Sequence, residues 1–207
     1  MISIRWTSPK RCLLWAALVA LVPLVGCAPA DLFFAADESF LRRLEQRGLV
    51  AAGTPQLYGI GRIVITAART APAEVTTLRD LLRPEFKTVA IANPEHAPYG
   101  RAAVAAMQNA KIYDLVKNKL VFGENISQAA QFVQSGAAEI GIIALSITMS
   151  EPMRRTGVYW TIPRETYPAL KQGAVLLKHG GAGAKAFHEW LRRAEARKIL
   201  EKYGFGS

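Results

Sequence analysis

The chain has 207 residues, 51% of them hydrophobic, which is enough length and apolar content for one or two domains with a buried core and excludes a disordered polymer. The formal charge is +10, but the basic residues are scattered among acids and never interleave with aromatics in a run, which excludes a nucleic-acid-binding face. Cys12 and Cys27, the only cysteines, lie at the N-terminus, so the rest of the chain has no disulfide, thiolate metal site or cysteine nucleophile.

In chain order, Arg5, Lys10 and Arg11 precede the uncharged stretch CLLWAALVALVPLVG (12–26). That run falls short of the about 20 residues a permanent membrane helix needs. It matches the apolar region of an export signal. Its end, Leu24-Val25-Gly26-Cys27, resembles the lipobox of bacterial lipoproteins, so residues 1–27 are expected to be a signal peptide with Cys27 as the lipidation site. Removing the signal leaves 23 basic against 16 acidic residues, a net +7.

DLFFAA (31–36) is an apolar run without alternation, which suits a strand buried on both faces of a parallel sheet. A helix is expected next, with Ser39 as N-cap, Phe40, Leu41 and Leu44 at helical spacing, and Gly48 as its stop. GRIVITAA (61–68) reads as a strand and TTLRDLL as a short helix bounded by Pro84. Strand and helix then alternate: TVAIAN, the loop PEHAPYG, the helix RAAVAAMQNA, the strand KLVFG, the turn ENIS, the helix QAAQFVQSG and the strand AEIGIIALS. This alternation predicts an α/β fold built from parallel βαβ units. YWTIP and QGAVLLK are the last strands, and a helix closes the chain up to Gly204.

No nucleophile elbow, phosphate-binding loop, zinc helix or paired carboxylates appear, so no enzyme is expected. Glu95 and His96 are adjacent, but without a nucleophile the histidine reads as a loop residue at a strand end. His179 and His188 read as surface residues. The positive signal is a repeated geometry, in which two strands run through a loop straight into a helix. These are AIANPEHAPYG into RAAVAAM, and LVFGENIS into QAAQFV. The free N–H groups and dipole of such helix starts favour an anion, and ligands of open parallel sheets lie at the strands' carboxyl ends. Gly100 and Gly123 allow a close backbone approach there.

IANPEHAPYGRAA, LVFGENISQAAQFVQSGAAEIGIIALS, QGAVLLK and the closing ILEKYGFG resemble the periplasmic molybdate-binding proteins of bacteria, the substrate-binding components of ABC importers. The likeness runs from about Ala30 to Phe205. It implies a periplasmic-binding-protein-like two-lobed fold with mainly parallel sheets, divided as 28–66 and 159–207 for lobe 1 and 67–158 for lobe 2. The implied ligand is molybdate or tungstate, held as an oxyanion without direct protein–metal bonds and without a cofactor. By motif position, Tyr99 and Ile126 would donate backbone N–H groups, with Gly100, Asn125, Ser127 and Ala144 as further contacts. Ala144 stands where some members carry a ligand-contacting tyrosine, and the Tyr99 hydroxyl is the available substitute. The implied partners are an ABC permease, the oxyanion and, through Cys27, the membrane of the cell envelope.

In that family APADLFFAADES is the third strand of the first lobe, preceded by two strand–loop–helix units whose serine-bearing loops complete the oxyanion cage. The first lobe is therefore expected to be incomplete, with impaired ligand binding. Two alternatives are a degenerate, non-binding, membrane-tethered interaction protein and the product of a deleted or misassembled gene.

Overall fold

The computed structural model describes residues 30–69, 71 and 74–206; the signal-peptide reading and Cys27 fall outside the described residues. The first elements are β1 (Leu32–Ala35), α1 (Glu38–Gln46), β2 (Gln56–Gly61) and β3 (Ile63–Ala68). A 3-10 turn at Leu78–Leu82 leads to β4 (Val89–Ala92), α2 (Pro98–Asn109), α3 (Tyr113–Val116), β5 (Leu120–Gly123) and α4 (Ile126–Ser135). Then come β6 (Ile140–Ala144), α5 (Leu145–Thr148), α6 (Glu151–Thr156), β7 (Gly157–Thr161), β8 (Leu170–Leu176), α7 (Ala182–Trp190) and α8 (Ala194–Lys202).

The strands form two sheets, a small one in the order β1-β8-β2 and a larger one in the order β5-β4-β6-β3-β7. The α/β class is as expected, and the larger sheet is mixed rather than mainly parallel. β4 runs parallel to β5 and β6, but β3 runs antiparallel to both β6 and β7. The reason is local: β2 leaves the small sheet at Gly61 and β3 enters the large one at Ile63, so β3 arrives without a helical crossover. GRIVITAA therefore spans two strands of two sheets, and the boundary expected at residue 66 falls inside β3. The return boundary at 158/159 likewise falls inside β7, which stays in the larger sheet through Thr161.

Burial explains the continuous apolar runs. Ile63, Ile65, Ile91, Ile140 and Ile142 pack with Ala103, Ala106 and Met107 of α2. Val64 and Ile143, at the alternate positions, pack with Ala129 and Ala130 of α4. Each strand thus buries both sets of side chains, so no polar alternation survives. The small alanines on both helices allow close helix–sheet packing.

β1 corrects a second expectation. Among the described residues it is an edge strand, antiparallel to β8, and Phe34 is 43% exposed on one face while Phe33 packs towards α1 on the other. The N-cap of α1 is Asp37, not Ser39: the Asp37 carboxylate accepts from the Ser39 N–H at 2.8 Å. The expected stop holds, with Gly48 at φ 65°. At the C-terminus one expected helix is two. The break after α7 is tied to β2 by Gln56, whose amide donates to the His188 carbonyl at 2.7 Å and accepts from Arg192. His188 is buried, 4% exposed, because it faces inward from α7 rather than out to solvent.

Candidate functional site

Three neighbouring strands, β5, β4 and β6, run parallel and end side by side, at Gly123, Ala92 and Ala144. Each leads to a helix start, α4, α2 and α5 respectively. The topology therefore gathers the sequence motifs at one carboxyl edge. Ala92 pairs directly with Gly123, the Asn93 N–H donates to the Gly123 carbonyl at 2.8 Å, and His96 Nε2 lies 3.0 Å from the Glu124 carbonyl oxygen. His96 is thus a brace between the two loops, as a loop histidine at a strand end would be.

At the start of α4, Asn125 is the N-cap and its side chain accepts from the Gln128 N–H at 3.0 Å. The Gln128 side chain reaches back to the Glu124 N–H at 2.6 Å. These bonds consume the donors on either side and leave the Ile126 and Ser127 N–H groups without an acceptor among the described residues. At the start of α2, Pro98 has no N–H to offer, while Gly100 and Arg101 both donate to the Ala97 carbonyl. The Tyr99 N–H is left free among the described residues. Tyr99 and Ile126, the two principal donors expected from the sequence, therefore stand on adjacent helix starts. Asn125 serves as an ordinary cap, and Ser127 is exposed.

Ala144 lies at the end of β6 but differs in kind. It pairs with Ile63, it is 2% exposed, and the following Leu145 N–H donates to the Arg62 carbonyl at 2.9 Å. The link between β2 and β3 thus uses up the first N–H of the third helix start. The Tyr99 hydroxyl takes no part at this edge: it accepts from Gln172 Nε2 on β8, inside the protein. Burial raises its ionisation well above the ordinary phenol range.

The glycines act on the chain itself. A Cβ on Gly100 would collide with the Ala92 carbonyl, and one on Gly123 would lie 2.6 Å from the Ala129 nitrogen. Both therefore let a helix start sit directly on a strand end. A cleft of about 220 Å³ borders the α2 start, lined by Asp37, Glu38, Pro98, Arg101 and Lys171 among others. Across it Arg101 pairs with Asp37 at 2.9 Å, and Lys171 lies 3.7 Å from Glu38. Burial pushes the Asp37 carboxyl up, but hydrogen bonds from Ser39 and the Arg101 guanidinium outweigh it and hold it below the usual carboxylate range. The cations are thus already matched by carboxylates, and the uncommitted donors at this edge are neutral backbone N–H groups. Among the described residues no cluster of three or more histidine, cysteine or acidic side chains could hold a metal ion.

What the sequence reading did not find are Gln172, Tyr58 and Tyr167. The Tyr58 hydroxyl donates to Gln172 Oε1 at 2.8 Å, and the Tyr167 hydroxyl accepts from the Ile63 N–H at 3.3 Å. The one available signal was a polar residue, Gln172, inside the otherwise apolar strand QGAVLL.

The family model for bacterial extracellular solute-binding proteins matches residues 23–206. The molybdate-binding protein ModA of Rhodobacter capsulatus is 37% identical over 180 residues, covering 86% of this chain and 69% of that protein. ModA of Azotobacter vinelandii is 36% identical over 182 residues, covering 86% and 71%. Among solved structures, the Azotobacter vinelandii periplasmic molybdate-binding protein superposes with a TM-score of 0.79 at 27% identity, over 88% of this chain and 80% of that one. Proteins of this family are transport components rather than enzymes, and the named relatives bind an oxyanion, not a cofactor. The chain belongs to the bacterial extracellular solute-binding proteins, in the family of the periplasmic molybdate-binding proteins.

Proposed function

We propose that the chain is the substrate-binding component of an ABC importer and takes molybdate or tungstate at the carboxyl edge of β5, β4 and β6. The observation that carries this reading is the pair of adjacent helix starts with uncommitted N–H groups at Tyr99, Ile126 and Ser127. A tetrahedral dianion suits donors of this kind, because several neutral N–H groups can each meet one oxygen while the helix dipoles supply the field. Molybdate and tungstate are near-isosteric, so the same donors serve both. These three N–H groups all lie on the large-sheet side. An anion held there keeps water on its other side, and partners that water can replace contribute little. Binding is therefore expected to be weak. The family description as extracellular supports an envelope location. With it we propose anchoring through a lipid on Cys27 and docking on a membrane permease.

Calorimetry on the exported chain tests the reading. One molybdate per chain, displaced by tungstate but not by sulfate at equal concentration, is the expected result. No heat with either metal oxyanion, or tighter sulfate binding, would overturn it. A chain that docks on its permease yet binds no oxyanion would instead be a non-binding interaction protein. Mass spectrometry of the exported chain, expected to begin at a lipid-modified Cys27, checks the anchor.

A further inference from the structure

A buried polar chain joins the small sheet to the helix that carries the anion site. It runs from the Tyr58 hydroxyl on β2 to Gln172 Oε1 on β8, and from Gln172 Nε2 to the Tyr99 hydroxyl on α2. Gln172 and Tyr99 are both about 5% exposed. A buried amide is costly unless both of its ends are paired, and here two tyrosines from two different layers pair them. Room is made by the absence of a side chain at position 61, where a Cβ would collide with the Tyr99 hydroxyl and come 2.7 Å from Gln172 Nε2. The backbone ladder of β8 with β1 and β2 does not use this side chain. Tyr99 is therefore gripped at its hydroxyl by the small sheet while its own N–H stands free at the carboxyl edge of the large one.

We propose that Gln172, oriented by Tyr58, is a positioning residue for anion capture: by holding the Tyr99 hydroxyl it fixes the first turn of α2 and so the Tyr99 N–H. This rests on the reading of the helix starts as the oxyanion site. It adds a coupling in which the small sheet reaches the ligand through one side chain.

The test uses the exported chain with Q172M, which conserves side-chain volume, with Y99F, and with the double variant. Molybdate titration by calorimetry and amide hydrogen exchange at Gly100 and Arg101 without ligand are the two readouts. Q172M is expected to weaken molybdate binding roughly 2- to 12-fold, the equivalent of one net hydrogen bond. It is also expected to speed exchange at both amides. The double variant should lose no more than Y99F alone, since Gln172 then has no hydroxyl to hold. Wild-type exchange rates in Q172M, or losses that simply add in the double variant, would overturn the proposal. If the wild-type chain takes up no molybdate, the functional reading fails, and the ligand-free exchange arm still decides the positioning role. Should Q172M fail to fold, Y58F tests the same chain from its other end, with the same faster exchange expected and unchanged exchange overturning it.

Discussion

Gly100 shows how a residue can be read correctly for the wrong reason. From the sequence it allows close approach to a ligand; in the structure the approach is to the Ala92 carbonyl of its own chain. The glycine is legible because the PYG motif opens a helix straight after a strand, but which atom fills the missing Cβ position depends on the helix–strand angle, and no local pattern encodes that. Replacing Gly100 with Ala should push the α2 start off β4 and cost about 1–3 kcal/mol, the usual range for overpacking a tight site. Urea unfolding would measure it, and a midpoint equal to wild type would show that the turn yields freely. Asn125 was expected as a ligand contact, and what the structure records for it is the cap of α4. Gln172 was not legible, because its meaning comes from Tyr58 and Tyr99, far away in sequence and on separate elements.

At the scale of elements, strands buried on both faces were readable from their apolar runs, and so were α2 and α4 from their alanine-rich faces. β2 escaped notice because QLYGIG alternates weakly and carries two glycines, and its pairing comes from β8 and from a bridge between Ile60 and Gly206. Strand direction escaped for a different reason. Parallel order was inferred from alternation with helices, and β3 breaks the rule by entering directly from the small sheet. β1 carries the consequence that matters outside the fold. Its edge, unpaired among the described residues, and the exposed Phe34, which meets Tyr58 and Phe187 edge-on at 5.5 and 6.3 Å, form a surface able to pair with another strand. The exported chain is therefore expected to self-associate at high concentration, and a lysine at position 34 (F34K) to suppress it. Light scattering decides this: a wild-type chain that stays monomeric would remove the edge-pairing account.

For the whole molecule, the two layers are held across their interface by groups that titrate at opposite ends of the pH scale. On the acid side, Asp37 spans the layers to Arg101. Within the larger layer, the Glu139 carboxylate accepts from the Thr88 hydroxyl and N–H, which lowers its ionisation despite burial. Asp80, which burial would raise, is held low by the Thr76 and Thr77 N–H groups and by Arg83. A carboxyl depressed in the folded state adds stability that is present above its unfolded value, about 4, and lost as pH falls through its folded value. On the alkaline side, burial raises Tyr58 to about 12, and Tyr99 and Tyr167 also lie above their ordinary value. Because the folded state keeps these protons longer than the unfolded chain does, their contribution is complete below about pH 10 and is lost as pH rises through the folded values. Unfolding free energy should therefore be nearly level from about pH 5 to 9 and fall on both sides. Y58F should flatten the alkaline fall and leave the acid fall intact, while D37N should blunt the acid one, only modestly, because the Arg101 pair is partly exposed. Urea unfolding at a series of pH values measures both limbs. Stability still rising above pH 10, or an alkaline limb unchanged in Y58F, would mean that the tyrosine chain does not link the layers as its geometry implies.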